Sequence, residues 1–144
     1  MTTVKHVLRD KDNQDIFTIS PQATVYDAVR VMAEKSIGAL IVTNEAQQVV
    51  GILSERDYTR KIVLMERTSK ETTVEEIMTA TVLTVSTTST VEHCLTLMTD
   101  KHLRHLPVVE NEKLLGLVSI GDLVKAVMDD QLKLIHQLQD YIAS

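Results

Sequence analysis

The stretch IFTISPQATVYDAVRVMAEKSIGALIV (residues 16–42) returns as VLTVSTTSTVEHCLTLMTDKHLRHLPV (residues 82–108), 66 positions later. After a one-residue deletion, GILSERD (51–57) returns as GLVSIGD (116–122), 65 positions later. Two copies are too few for a solenoid, which needs at least three stacked units. They point instead to two half-domains sharing one core about a pseudo-twofold axis. Clefts then form between the copies, and positions at which the copies differ become the functional candidates.

Each copy reads as strand, helix, strand, strand, helix. In the first, 16–19 is a short strand, and Thr24 caps a helix whose apolar positions Val25, Ala28, Val29 and Met32 recur at helical spacing. Residues 37–42 form a continuous apolar run, as a strand covered on both faces requires. A polar turn at 44–48 leads to a return strand over 49–53, and Ser54 opens a second helix to about residue 64. In the second copy the strands are 82–85, 106–109 and 114–118. Thr90 caps a helix with Val91, Leu95 and Met98 on its face, and Ser119 opens the last helix, 120–142. The fold class is α+β, or mixed α/β. Its segments are an N-terminal arm (1–14), a first repeat (15–65), a linker (66–80) that holds a short turn at 74–78, a second repeat (81–128) and a helical extension (129–144).

Composition narrows the class. A 144-residue chain buries roughly two-thirds of its unfolded surface. With no Trp, one Phe and three Tyr, its core is built from Val, Ile, Leu and Met. A net charge of −5 argues against a nucleic-acid partner, whose binders carry a basic balance. Cys94 is the single cysteine, so no internal disulfide or cysteine-built zinc site forms; between Val91 and Leu95 it reads as a buried, inert thiol. The histidines His6, His93, His102 and His136 are scattered, and His102 and His105 fall three apart near a strand. None has metal-ligand spacing, and no metal is expected. No signal peptide, membrane span or Arg-rich presequence is visible, which predicts a cytoplasmic protein without a membrane partner. No Ser/His/Asp arrangement, Walker loop or G-x-G-x-x-G fingerprint is present, and the chain is not expected to be an enzyme.

The paired G-x-x-S-x-x-D motifs, Gly51, Ser54, Asp57 and Gly116, Ser119, Asp122, have two physical readings. Ser followed three residues later by an acid, ahead of a helix, resembles a capping box. Alternatively, a helix N-terminus offers N–H donors to an anionic ligand. An ionised carboxylate there accepts hydrogen bonds but donates none, which suits a ribose diol rather than a phosphate. The two roles are compatible.

With these motifs repeated after matched strands, the chain resembles a tandem pair of cystathionine-β-synthase (CBS) domains, a Bateman module, over about residues 4–130. IGALIV with GILSERDYTRK, and LRHLPVV with GLVSIGDLVK, resemble the small stand-alone bacterial CBS-pair proteins. The resemblance implies one module with an adenosyl ligand (AMP, ADP, ATP, NAD or S-adenosylmethionine) bound between the copies. It implies that Asp57, Asp122 or both hold ribose hydroxyls, with Ser54 and Ser119 near ribose or phosphate. Where copy one has Gly38 and Ala39, copy two has Arg104 and His105. Small residues let backbone approach a flat base, and a guanidinium offers planar donors to phosphate. The family's geometry would set Gly38, Ala39 and Asp57 at one cleft, completed by Arg104 and His105, with Arg56 and Arg60 near the phosphate and Thr18 in the binding set. By strand alternation Arg104 would share a face with Leu106 and Val108. The cleft at Asp122, facing Gly38 and Ala39, would bind phosphate less well or stay empty.

In the last helix Val124, Val127, Gln131, Leu134, Leu138 and Tyr141 alternate steps of three and four. Packing into the core is the plainer expectation for them. The tail has no counterpart in copy one, however, and a homodimer contact would bury its surplus apolar surface. The expected function is therefore a regulatory, energy- or redox-sensing module that binds an adenine nucleotide and signals through its dimer or a partner in trans. The alternative is a ligand-free adaptor that recruits a partner through its C-terminal helix.

Overall fold

The structure is a computed structural model that describes residues 2–11 and 16–143. The end of the expected N-terminal arm (12–14), the first-repeat boundary at 15 and the final residue of the extension lie outside them. Proximity along the chain trace divides the protein into two compact units. One comprises Ile16–Leu83 with Asn111–Leu114; the other comprises the N-terminal helix, Thr84–Glu110 and the chain from Leu115 onward.

The expected arm holds a helix, α1 (Val4–Asp10). The first repeat then supplies β1 (Thr18–Ile19), α2 (Val25–Lys35), β2 (Ala39–Thr43), β3 (Val49–Ser54) and α3 (Glu55–Tyr58). Beyond α3 the helix continues with π geometry over Thr59–Val63, where Leu64 N–H reaches the Thr59 carbonyl. A short helix, α4 (Val74–Ile77), follows the linker. The second repeat supplies α5 (Val91–Lys101), β4 (His105–Glu110), β5 (Lys113–Ser119) and α6 (Ile120–Ala143). In the first repeat β1 runs parallel to β2, and β2 pairs antiparallel with β3, with a register shift between Val42 and Thr43. In the second, β4 and β5 form a two-stranded sheet.

Local chemistry explains the elements. The Thr24 hydroxyl accepts Asp27 N–H and the Thr90 hydroxyl accepts His93 N–H, so α2 and α5 start on equivalent caps. Both end on a non-glycine residue in the left-handed region, Ser36 at φ 55° and His102 at φ 56°. Every residue of β2 is buried, as its uninterrupted apolar run requires. Leu40, Val42 and Leu53 pack with Val25, Ala28 and Met32 of α2 and with Ile62, Val74 and Ile77. In the other unit Val4, Val7, Val91, Cys94, Met98, Leu106, Val108, Val118 and Leu123 are buried, again without an aromatic residue.

Three expectations change. The strand over 82–85 reduces to one parallel bridge, Val85 to Val108, because the chain turns at once: the Ser89 hydroxyl accepts Ser86 N–H and Glu110 accepts Thr87 N–H. Arg104 is exposed and precedes β4, so it does not share the buried face of Leu106 and Val108. Core packing does not hold for most of the α6 seam either. Leu123 is the last buried residue of that helix; Val124, Gln131, Leu134, Leu138 and Tyr141 are exposed, and Val127 is half-buried.

The short helices α1 and α4 dock in equivalent ways. Val4 N–H bonds to Ser89 O and Val91 N–H to Thr2 O; Val74 N–H bonds to Ala23 O and Val25 N–H to Thr72 O. The signal for this was Thr-Thr-Val, present at 2–4 and again at 72–74. Each docking lays a side chain on a motif glycine. A Cβ at Gly116 would stand 2.9 Å from Leu8 Cδ2, and one at Gly51 would stand 2.5 Å from Met78 Sδ and 3.1 Å from the Thr79 carbonyl. That carbonyl accepts Ile52 N–H and cannot retreat. Gly51→Ala is expected to lower unfolding free energy by about 1–3 kcal/mol, as overpacking does. Gly38→Ala should cost nothing, since a Cβ there meets only Glu55 Oε1 at 4.0 Å. Urea unfolding of the two variants checks the contrast.

Candidate functional site

The two S-x-x-D motifs stand where β3 passes into α3 and where β5 passes into α6. At the first, Asp57 Oδ2 accepts Ser54 N–H at 3.0 Å and the Ser54 hydroxyl at 3.1 Å, while Ser54 Oγ accepts Asp57 N–H at 3.2 Å. At the second, Asp122 Oδ2 accepts Ser119 N–H at 2.9 Å and Ser119 Oγ accepts Asp122 N–H at 3.1 Å. Both are reciprocal caps that satisfy otherwise unpaired N–H groups.

Their cations differ. Lys61, one turn along from Asp57, places Nζ 3.6 Å from Oδ1 and donates to the Ile77 carbonyl at 2.9 Å. Asp122 meets Lys11, which follows α1: Nζ lies 3.0 Å from Oδ2 and donates to the Leu117 carbonyl at 2.8 Å. Sequence reading missed both lysines. Lys61 was within reach of an i,i+4 rule, whereas Lys11 is brought to Asp122 only by the docking of α1.

The other candidates divide between the units. In the first-repeat unit Thr18 is exposed on β1, Ala39 is buried, and Gly38 is exposed with its carbonyl accepting Glu55 N–H, beside the Asp57 box. Arg56 and Arg60 are exposed on either side of Asp57, whose side chain is only 15% exposed. In the second-repeat unit Arg104 holds the position equivalent to Gly38: its carbonyl accepts Ile120 N–H, beside the Asp122 box. His105 is half-buried at the start of β4. Each unit thus gathers a helix N-terminus, a half-buried carboxylate and exposed or half-exposed cations. That set can accept from hydroxyls and attract an anionic group.

Elsewhere the chemistry is quiet. Cys94 is buried, and burial pushes its thiol pKa up. Among the described residues no cluster of His, Cys, Asp and Glu could hold a metal ion, and no helix is long and apolar enough to cross a membrane.

Burial by itself raises the Asp122 pKa, but Ser119 N–H and the Lys11 ammonium outweigh it, and the net shift is downward. A carboxylate held below its unfolded value stabilises the fold above the ordinary aspartate range near about 3.9 and loses that contribution as pH falls through the lower folded-state value. Asp122→Asn should therefore be less stable than the parent at neutral pH. Urea titrations from pH 7 downward should show that difference shrinking below about pH 4.

The model of the CBS domain matches residues 4–64 and 74–129. The mitochondrial CBS domain-containing protein CBSX3 of Arabidopsis thaliana is 38% identical over 148 residues, covering 98% of this chain and 72% of the relative. A CBS-domain structure from Burkholderia ambifaria MC40-6 superposes with a TM-score of 0.85 at 51% identity, covering 90% of this chain and 96% of the other. A hexameric CBS-CP12 protein from bloom-forming cyanobacteria superposes at 0.77 and 30% identity, covering 86% and 70%. CBS-pair proteins are regulatory modules that often bind adenosyl ligands, and they are generally not catalytic. With two matched repeats, each ending in a strand, a serine–aspartate box and a helix, this chain belongs to the CBS-domain family as a tandem pair.

Proposed function

We propose that this protein is a nucleotide-responsive regulatory module that takes an adenosyl ligand such as AMP or NAD at its serine–aspartate motifs. The observation that carries the reading is the Asp57 carboxylate. Its Oδ2 is used by the cap, while Oδ1 has Lys61 at 3.6 Å, too long for a good hydrogen bond. One carboxylate oxygen therefore remains to accept from a ribose hydroxyl. Gly38 leaves open space beside it, and Arg56 and Arg60 supply positive charge within the same unit.

The test is a thermal-shift series on protein stripped of co-purified nucleotide. AMP at a hundred times its Kd should add about 2.7 kcal/mol, a rise of roughly 5–12 °C for a chain of this size; GMP should add none. Asp57→Ala should abolish the AMP shift. It also breaks a cap, at about 0.5–2 kcal/mol. Thr73→Ala, which breaks the equivalent box at α4, provides the control: it should lose similar stability and keep the shift. An Asp57→Ala protein that still responds to AMP refutes the ribose assignment.

Output through a second copy is part of the proposal. On α6, Val124, Leu134, Leu138 and Tyr141 are 45%, 55%, 53% and 80% exposed along one seam, with Met128, Ile135 and Ile142 beside it. Pairing with another α6 would cover that seam, and the hexameric CBS-CP12 relative supports assembly of such modules. Leu134→Asp with Leu138→Asp should convert a dimer to a monomer in analytical ultracentrifugation. The same exposed seam, together with two aspartates already engaged as caps, favours the adaptor as the second reading. Its signature is a dimer or complex that forms without any nucleotide shift.

A further inference from the structure

We infer that α6 pairs with α6 of a second copy in parallel and in register, with the two Gln131 side chains bonded to each other at the middle of the seam. The inference rests on the pairing proposed above and deepens it by fixing the partner's direction and alignment.

The helix sits the wrong way round for a lone chain. Its polar side faces its own unit: Asp129, Asp130, Lys133 and Gln137 line a groove against α1, and Thr2 Oγ1 donates to Asp130 Oδ2 at 2.6 Å. Of the seam, only Leu134 reaches that groove. The rest of the apolar arc points outward, with Met128 57% exposed, Ile135 48% and Leu138 53%. The amphipathic helix of a monomer does the opposite. Beyond Leu123 no residue of α6 is buried, yet helices in proteins draw most of their stability from packing an apolar face. The face calls for a partner outside the chain, and the seam identifies it.

In heptad terms Val124, Gln131 and Leu138 take the a positions, and Val127, Leu134 and Tyr141 the d positions. Gln131 is the one amide among them. Antiparallel pairing of this seam stacks Gln131 on the partner's Leu134, where its amide gives up water for an apolar surface. Parallel pairing in register stacks it on the partner's Gln131, and each amide can donate N–H to the other's carbonyl. A slip by one heptad forfeits that bond. A single polar a position fixes register and strand number in this way, and Val124 at a with Leu134 at d suits the same two-stranded geometry. An unrelated helix would have to bring an amide to the same level; a second copy supplies it by symmetry.

The test is disulfide cross-linking of nucleotide-free Leu138→Cys protein under mild oxidation, alongside sedimentation of the wild type. Cys94 is buried and its thiol pKa is pushed up, so it does not compete. Parallel pairing brings position 138 of the two chains together, and the variant should cross-link to a covalent dimer. Antiparallel pairing sets those positions about 16 Å apart along the helix axis, beyond disulfide reach. Gln131→Glu and Gln131→Lys proteins should each be monomeric, and their mixture should recover the dimer; circular dichroism checks that each stays folded. A dimeric wild type whose Leu138→Cys variant does not cross-link overturns the inference while the pairing stands. A charge-swapped mixture that stays monomeric overturns it too. A monomeric wild type fails differently: it sinks the pairing itself and the inference with it.

Discussion

Everything near the motifs depends on two short helices seating by paired main-chain hydrogen bonds. Thr2, Thr3 and Val4 bond across to Ser89, Thr90 and Val91, and Thr72, Thr73 and Val74 bond across to Ala23, Thr24 and Val25. These bonds place Leu8 over Gly116 and Met78 over Gly51; a Cβ at Gly51 would press on Met78 and on the Thr79 carbonyl, whereas one at Gly116 would meet only the end of the Leu8 side chain. Gly51 is therefore favoured by close approach of its neighbours, not by a left-handed backbone, since no glycine has positive φ. The docking also fixes which cation reaches which aspartate: α1 delivers Lys11, and the end of α4 supplies the Ile77 carbonyl that holds Lys61.

The serine–aspartate boxes make stability and the proposed binding share one side chain. Asp57 Oδ2 closes a helix cap while Oδ1 is left with only Lys61 at 3.6 Å, so on the proposed reading a variant at Asp57 changes both. A capped helix start is also a rigid one, and rigidity reduces the ordering cost of taking up a ligand. A module of this kind responds to a ligand only through the difference in affinity between its states.

The two second helices begin alike and end differently. After Asp57 the helix widens to π geometry at Thr59–Val63 and stops, whereas after Asp122 the helix runs unbroken to Ala143. The π segment carries Arg60 and Lys61 past the first motif, and π turns recur at functional sites. The longer helix instead leaves an apolar seam uncovered over its last four turns. Divergence between the repeats is therefore concentrated just beyond the motifs, with a basic π segment after the first and an exposed apolar helix after the second.

By itself the sequence determined the repeat, the helix starts at Thr24, Thr90, Ser54 and Ser119, the buried strand expected at 37–42 and found at 39–43, and the pairing of each serine with its aspartate. All of these rest on contacts within a few residues or on periodic burial, which a linear pattern records. The missed helix α1 was legible in Thr-Thr-Val at 2–4 and 72–74, but only once the docking of α4 gave that tripeptide a meaning. The strand at 82–85 failed because β-branched residues lost to serine and threonine turn bonds. Tertiary structure alone decided that Lys11 reaches Asp122 across 111 positions, that Met78 and Leu8 close over the glycines, and that α6 leaves the core after Leu123. Those outcomes depend on which surfaces meet, and no local spacing encodes that.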